Sequence, residues 1–306
     1  MKKIYLTSVL MLLLLPMGGR TYALDQEEVI YQFDSAYHRI RVTQNGNIRA
    51  LRFDNNFYQT TVDVTNPLRG HYDYAELFFD TALFKPDAEN VCMLGLGGGS
   101  IQRLFNHFQP GLDDLTVEID SAVVDVAEGY FFFDRNQMPV VVDDARRYLR
   151  SNQDKYDMIF QDSYTSNAYG TFVPFHLATY EYFLIVNDRL EDDGVFAINV
   201  IGTVYGGEEH RIITSIYKTM SEVFPQLYMF AADESQNVVI IATKDSQRLT
   251  RQDLLSRAQS IVNTRRSEFP QGFYQSAYKL YDTAPSGLST ALVLTDDYAP
   301  VDNLLR

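Results

Sequence analysis

The 306-residue chain has one cysteine and no tryptophan. A single thiol cannot form an intramolecular disulfide, so no cross-link holds this fold. Cys92 sits inside an apolar run and reads as a small buried hydrophobe. Cations are scarce: 26 Lys and Arg stand against 40 Asp and Glu, a formal net charge of −14. A surface of that sign repels nucleic acid and anionic lipid and favours cationic partners, though it also serves plain solubility. No nucleic-acid partner is therefore expected. Beyond the first residues, no apolar run is long enough to cross a bilayer. Internal repeats and low-complexity segments are also missing. The hydrophobic fraction of 46% is that of a globular chain, with room for one large domain or a domain plus a small one.

The chain starts with Met1-Lys2-Lys3, an apolar run from Ile4 to Leu15, Pro16, two glycines and Thr21-Tyr22-Ala23. A charged start, an apolar middle and a small-residue exit describe a secretory signal peptide, with cleavage expected after Ala23. The mature protein would then be exported, periplasmic or secreted, with net charge −17, since residues 1–23 carry three cations and no acid. An uncleaved membrane tether is the alternative, although a run of about a dozen residues is short for a span. No stable insertion beyond this segment is expected. The expected organisation is a signal peptide at 1–23, a β-strand domain at 24–68, a nucleoside-binding domain at 69–245 and a helical extension at 246–306.

Residues 29–62 read as strands. Tyr37–Thr43 alternates, Asn45-Gly46-Asn47 is a hairpin signal, Ile48–Phe53 is the return strand, and Asp54-Asn55-Asn56 makes the next turn. Asn66-Pro67-Leu68-Arg69-Gly70 is a linker by composition. Tyr72–Leu83 has near-helical apolar spacing. Strands and helices then alternate as far as two final strands near Leu227–Ala232 and Asn237–Thr243, which predict an antiparallel edge on a mostly parallel sheet.

The stretch from Val91 to Asp120 organises the rest. It reads as a buried strand, the glycine cluster Gly95-Leu96-Gly97-Gly98-Gly99, a helix, and a second strand ending in Glu118 and Asp120. Glycines at a strand exit permit a tight turn and close approach of a ligand. An acid roughly 20 residues further on can accept hydrogen bonds from both ribose hydroxyls of a nucleoside. The glycine spacing is not the phosphate-gripping G-x-G-x-x-G, and no Lys-Ser/Thr pair follows, so a P-loop is excluded. A tight turn without a ligand is the competing reading.

Further acids lie just past predicted parallel strands: Asp143 with Asp144, and Asp162. Open α/β sheets bind ligands there. Asp144 suits an adenine amino group, with Ala145 offering backbone, and equally suits a helix N-cap. Asp162 ends the strand entering the crevice and precedes a polar loop, Ser163–Val173, of the kind that forms lids. An ionised Asp there can take a proton from an amine or hold a cationic centre; capping of the loop is the alternative.

Together these segments resemble the spermidine synthase (polyamine aminopropyltransferase) family. They are Phe53-Asp54 through Gln59, Tyr74-x-Glu76, Val91–Gly99, Val117-Glu118-Ile119-Asp120, Asp144-Ala145-Arg146-x-Tyr148-Leu149 and Tyr156-Asp157-x-Ile159-x-x-Asp162-Ser163. Leu294-Thr295-Asp296-Asp297-x-x-Pro300 is similar to the tail of less studied bacterial members. The resemblance implies a doubly wound, class I methyltransferase-like (Rossmann-like) α/β sheet preceded by a small antiparallel β domain. It implies transfer of an aminopropyl group from decarboxylated S-adenosylmethionine to a diamine such as putrescine, by a homo-oligomer. No metal is implied, because the sulfonium is already an activated leaving group. By carry-over Gly95, Gly97 and Gly99 line the donor, Glu118 holds its ribose, Asp144 and Ala145 its adenine, and Asp162 deprotonates the amine. Gln59, Tyr74 and Tyr164 line the amine side. Three positions depart from the pattern: Gly98 stands where the family has an acid for the donor's ammonium, Thr165 replaces a second loop acid, and Ala75 replaces a His or Gln. A methyltransferase-like enzyme using intact S-adenosylmethionine and a non-catalytic nucleoside or polyamine binder are the alternatives.

Overall fold

The computed structural model describes residues 27–54, 58–167, 170–205 and 210–305. The signal segment and part of the turn expected at 54–56 lie outside them.

Four antiparallel strands come first, in the order β1 (Glu28–Asp34), β2 (Arg39–Asn45), β3 (Ile48–Arg52), β4 (Tyr58–Asp63). The β2–β3 turn is the expected hairpin, with Gly46 at φ +56°. Ile40, Val42, Leu51, Phe53 and Val62 form one apolar face, which packs on Val123, Val126 and Phe131 of the following domain. Helix α1 (Tyr74–Leu77) then runs directly into a 3₁₀ turn, Phe78–Leu83, so the helical spacing of 72–83 appears as two short pieces.

The main sheet has eight strands. In chain order these are β5 (Asn90–Leu94), β6 (Asp113–Glu118), β7 (Val140–Val142), β8 (Tyr156–Gln161), β11 (Leu190–Ile201), β12 (Gln226–Ala231), β13 (Asn237–Thr243) and β14 (Leu280–Tyr281). Between β8 and β11 the polar loop forms a separate small hairpin, β9 (Thr165–Asn167) and β10 (Gly170–Phe172). Spatially the large sheet runs β14-β12-β13-β11-β8-β5-β6-β7, with β11, β8, β5, β6 and β7 parallel and β13, β12 and β14 antiparallel.

Helices α2 (Ser100–Phe108), α3 (Ser121–Tyr130), α4 (Ala145–Ser151), α5 (Tyr180–Arg189), α6 (His210–Ser221), α7 (Arg251–Arg265) and α8 (Phe273–Ser276) complete the domain. Both sheet faces are covered, which is why its strands are continuous apolar runs rather than alternating ones. Along β5, Cys92 and Leu94 face the core of α4, α5 and α6, while Val91 and Met93 face α2, α7 and the 3₁₀ turn. The tail, with Leu294, Val301 and Leu304 buried, closes the first of these cores.

From β5 the chain winds outward through β6 and β7, then returns to start β8 on the other side of β5. The β5–β8 seam is thus the topological switch point, where sheets of this kind bind ligands.

Candidate active site

The glycine turn sits on that seam. Gly95, Gly97 and Gly99 all adopt left-handed φ (+102°, +53° and +69°), which a side chain would strain. A Cβ on Gly95 would come within 2.3 Å of the Asp162 carbonyl oxygen, so the exits of β5 and β8 approach each other as only glycine allows. Gly95 and Gly97 line a cavity of about 850 Å³ including its open mouth; Gly99 does not. Gly99 precedes α2 and backs onto the Phe133 ring, 3.0 Å from where its Cβ would stand, so its expected place against the donor is not observed.

Glu118, at the end of β6, is buried in the same cavity. Its Oε2 accepts from the Leu96 amide (2.9 Å) and its Oε1 from the Asp120 amide (2.9 Å). Burial raises its pKa to about 7, against the pull of those amides. Asp144 caps α4 through the Arg147 amide (2.8 Å) and also meets His176 Nε2 (2.9 Å), which holds its carboxyl below the usual range. The two readings of Asp144 are therefore compatible: it is an N-cap, and with Ala145 it lines the cavity.

Asp162 lies where β8 leaves the sheet. Its Oδ2 accepts from the Tyr74 hydroxyl (3.1 Å) and its Oδ1 from Asn199 Nδ2 (2.9 Å). Desolvation raises its pKa, opposed by those two donors. Asn199 is fixed in turn by Asn237 Nδ2 (3.0 Å), and its carbonyl accepts from the Tyr164 hydroxyl (2.8 Å). Four elements, α1, β8, β11 and β13, thus hold one carboxylate.

A second cavity of about 1300 Å³, likewise open to solvent, adjoins the first and shares Gln59, Tyr74 and Tyr164 with it. Tyr58, Tyr72 and Glu234 are among its other walls. Tyrosine faces and a carboxylate suit a cation. The structure therefore gathers Gln59, Tyr74, Gly95, Gly97, Glu118, Asp144, Ala145, Asp162 and Tyr164 around two joined cavities.

Several wall residues carried no sequence signal we read. His38, stacked on Phe53 at 4.1 Å between centroids, reaches the first cavity from the small sheet, as does Thr60. His176 arrives from the segment after β10. Asn199, a polar residue within the apolar run of β11, is the one that could have been noticed. Other acids near the motifs are occupied elsewhere. Asp73 holds the 233–235 turn through the Asp233 and Glu234 amides (2.6 and 3.0 Å) and Ser235 Oγ (2.8 Å). Glu76 pairs with His71, and Asp120 caps α3 and accepts from Ser35.

Residues 73–250 match the spermine/spermidine synthase domain. The chain belongs to that family. It is 26% identical over 302 residues to a probable polyamine aminopropyl transferase of Bifidobacterium longum, covering 94% of this chain and 64% of that one. This family member therefore spans just under two thirds of that curated relative. Among solved structures, spermidine synthase in complex with the transition-state analogue AdoDATO superposes with a TM-score of 0.67 at 21% identity, over 85% of this chain and 88% of that one. Human methyltransferase-like protein 13 in complex with SAH gives 0.54 at 24% identity, over 65% and 92%. At these identities the superpositions show the fold: the small β domain and methyltransferase-like sheet are those the sequence implied. The family is one of transferases that act on small polyamines.

Proposed function

We propose that this family member transfers an aminopropyl group from decarboxylated S-adenosylmethionine to a small cationic amine, a diamine such as putrescine. The observation that carries this reading is the position of Asp162, which lines the first cavity and accepts from Tyr74 (3.1 Å), a residue that both cavities share. In the first cavity Glu118 accepts from the ribose hydroxyls, while Asp144 and Ala145 meet the adenine. In the second, Gln59, Tyr74 and Tyr164 bound the amine. The amine nitrogen attacks the carbon beside the sulfonium, an N–C bond forms as the C–S bond breaks, and methylthioadenosine leaves. Asp162 takes the proton from the nitrogen and passes it to solvent.

Burial supports this role, because a raised carboxylate is a stronger base than one in water. Holding both reactants across one carboxylate supplies proximity, and the carboxylates stabilise the cationic centres. The test is Asp162→Asn. Chromatography of the polyamine products is expected to show no turnover, with donor affinity by titration calorimetry within a few-fold of the parent. Turnover that survives would make Asp162 structural and end the mechanism.

Export and self-association belong to the same proposal. Protein recovered from its native cell fraction should begin at Leu24, and a sedimentation profile should show a homo-oligomer. An intact Met1 start or a monomer would remove the corresponding part.

A further inference from the structure

The acids nearest the motifs are occupied by the protein itself. Asp73 ties the 233–235 turn, Glu76 pairs with His71 and Asp120 caps α3. Thr165 stands where the family carries a second loop acid. Among its described residues, the hairpin that bears Thr165 reaches the second cavity through Gly170 and Thr171, and neither is charged. Glu234, in the turn between β12 and β13, is the only acid among the described walls of that cavity. Among the described residues its carboxylate has neither a hydrogen bond nor an ion pair. The neighbouring Asp233 pairs with Lys279 Nζ (3.0 Å), so the local cation is already taken. The turn itself is built: its two amides and Ser235 Oγ all donate to Asp73.

One wall is continuous from the reacting end to this turn. Asp162 accepts from Asn199 Nδ2 (2.9 Å), and Asn199 Oδ1 accepts from Asn237 Nδ2 (3.0 Å). Asn237 opens β13, three residues after Glu234, and both asparagines line the second cavity. Tyr58, Tyr72, Tyr74 and Tyr164 bound the same space. Their ring faces suit a methylene chain with a cationic end.

Resting on the reading of the second cavity as the amine site, we infer that Glu234 holds the far ammonium of the acceptor, so that this chain selects amines with two cationic ends over monoamines. The reacting nitrogen meets Asp162, the methylenes lie along the tyrosines, and the second nitrogen reaches Glu234. Glu234 is exposed. Its pair with the ammonium therefore avoids the desolvation cost of a buried one, and has the strength and the salt sensitivity of a surface ion pair.

Steady-state transfer by the whole protein to putrescine and to butylamine, which has the same four carbons and one nitrogen, tests this. Putrescine is expected to have the lower KM. Glu234→Gln should raise the putrescine KM about fivefold, the scale of an exposed ion pair, and Glu234→Lys should raise it further. The butylamine KM, the kcat and the affinity for methylthioadenosine should not change in Glu234→Gln. Added salt should raise the putrescine KM of the parent and have much less effect on Glu234→Gln. A parent that does not distinguish the two amines, or an unchanged putrescine-to-butylamine KM ratio in Glu234→Gln, would overturn the inference and leave the reaction at Asp162 standing. No transfer to either amine would remove the reaction itself. Calorimetric titration with putrescine would then decide the inference alone: binding that weakens in Glu234→Gln upholds it, and equal binding or none overturns it.

Discussion

At the residue scale, Glu118 combines two duties. Its oxygens draw in the Leu96 and Asp120 amides, which shapes the glycine turn, and the residue lines the cavity. Glu118→Ala is therefore expected to abolish binding of adenosyl compounds, and Glu118→Gln to weaken it. Burial places its pKa near 7 rather than 4.5. Only the ionised form accepts with both oxygens, so donor affinity should rise as pH rises through about 7 and fall below it. Titrations at pH 6 and pH 8 check the sign, and a flat profile in Glu118→Gln assigns it. Asp162 acts in the same direction: with its carboxylate as the proposed base, turnover should fall as pH drops through its raised pKa. Asp144 differs, since His176 holds it ionised. Removing it should cost about 1 kcal/mol of stability as a lost helix cap.

At the scale of elements, the junction between the 3₁₀ turn Phe78–Leu83 and α8 carries a buried acid outside the site. Asp80 is 0% exposed; Ser276 Oγ donates to its Oδ1, and its Oδ2 has no hydrogen-bond partner among the described residues. Desolvation raises its pKa from 3.8 to about 8. The folded state thus keeps a proton that the unfolded chain releases above about pH 4. Stability from this group should fall as pH rises from about 4 to about 8, because over that window the folded state binds the extra proton. Asp80→Asn is expected to be more stable than the parent above pH 8, by about 1–3 kcal/mol, with the gap closing towards pH 4. Chemical denaturation at pH 5 and pH 9 measures this, and a gap independent of pH would refute it. Asp73 is the counterpart at the site: by fixing the 233–235 turn it places Glu234 on the second cavity. Asp73→Ala should raise the KM for the amine and leave donor affinity unchanged, as steady-state kinetics would show.

For the whole molecule, the tail after β14 is a structural clasp. Leu294 is 0% exposed in the core of α5 and α6; its amide donates to Thr219 Oγ1 (2.9 Å), and its carbonyl accepts from Tyr180 (2.8 Å). Asp296 pairs in bidentate fashion with Arg146 of α4 (2.7 and 2.6 Å) and accepts from Thr179 (2.8 Å). Arg146 also donates to the His176 carbonyl (3.2 Å), and His176 lines the first cavity, so the tail braces one wall of the site. Leu294→Ala is expected to cost about 2–5 kcal/mol, as for other buried leucines. Asp296→Ala exposes a partly buried Arg146 and should loosen donor binding more than amine binding. Thermal melts and calorimetry separate the two effects.

What the sequence determined was whatever local chemistry dictates. Continuous apolar runs marked the strands buried on both faces, Asn45-Gly46-Asn47 marked the hairpin, and glycines followed by an acid at the next strand end marked the crevice at the switch point. Those signals depend only on neighbours in the chain, so the α/β order, the antiparallel edge and the placement of Glu118 and Asp162 on the crevice were legible. Tertiary structure decided what faces what. Thr60 and His38 reach the crevice because the small sheet docks on α3, and Asn199 braces Asp162 because β11 lies beside β8. Gly99 turns to Phe133 instead of the cavity, although its spacing matches that of Gly97. Periodicity gives a residue's face on its own element. Which element covers that face is set by packing between segments far apart in the chain, and no local pattern encodes it.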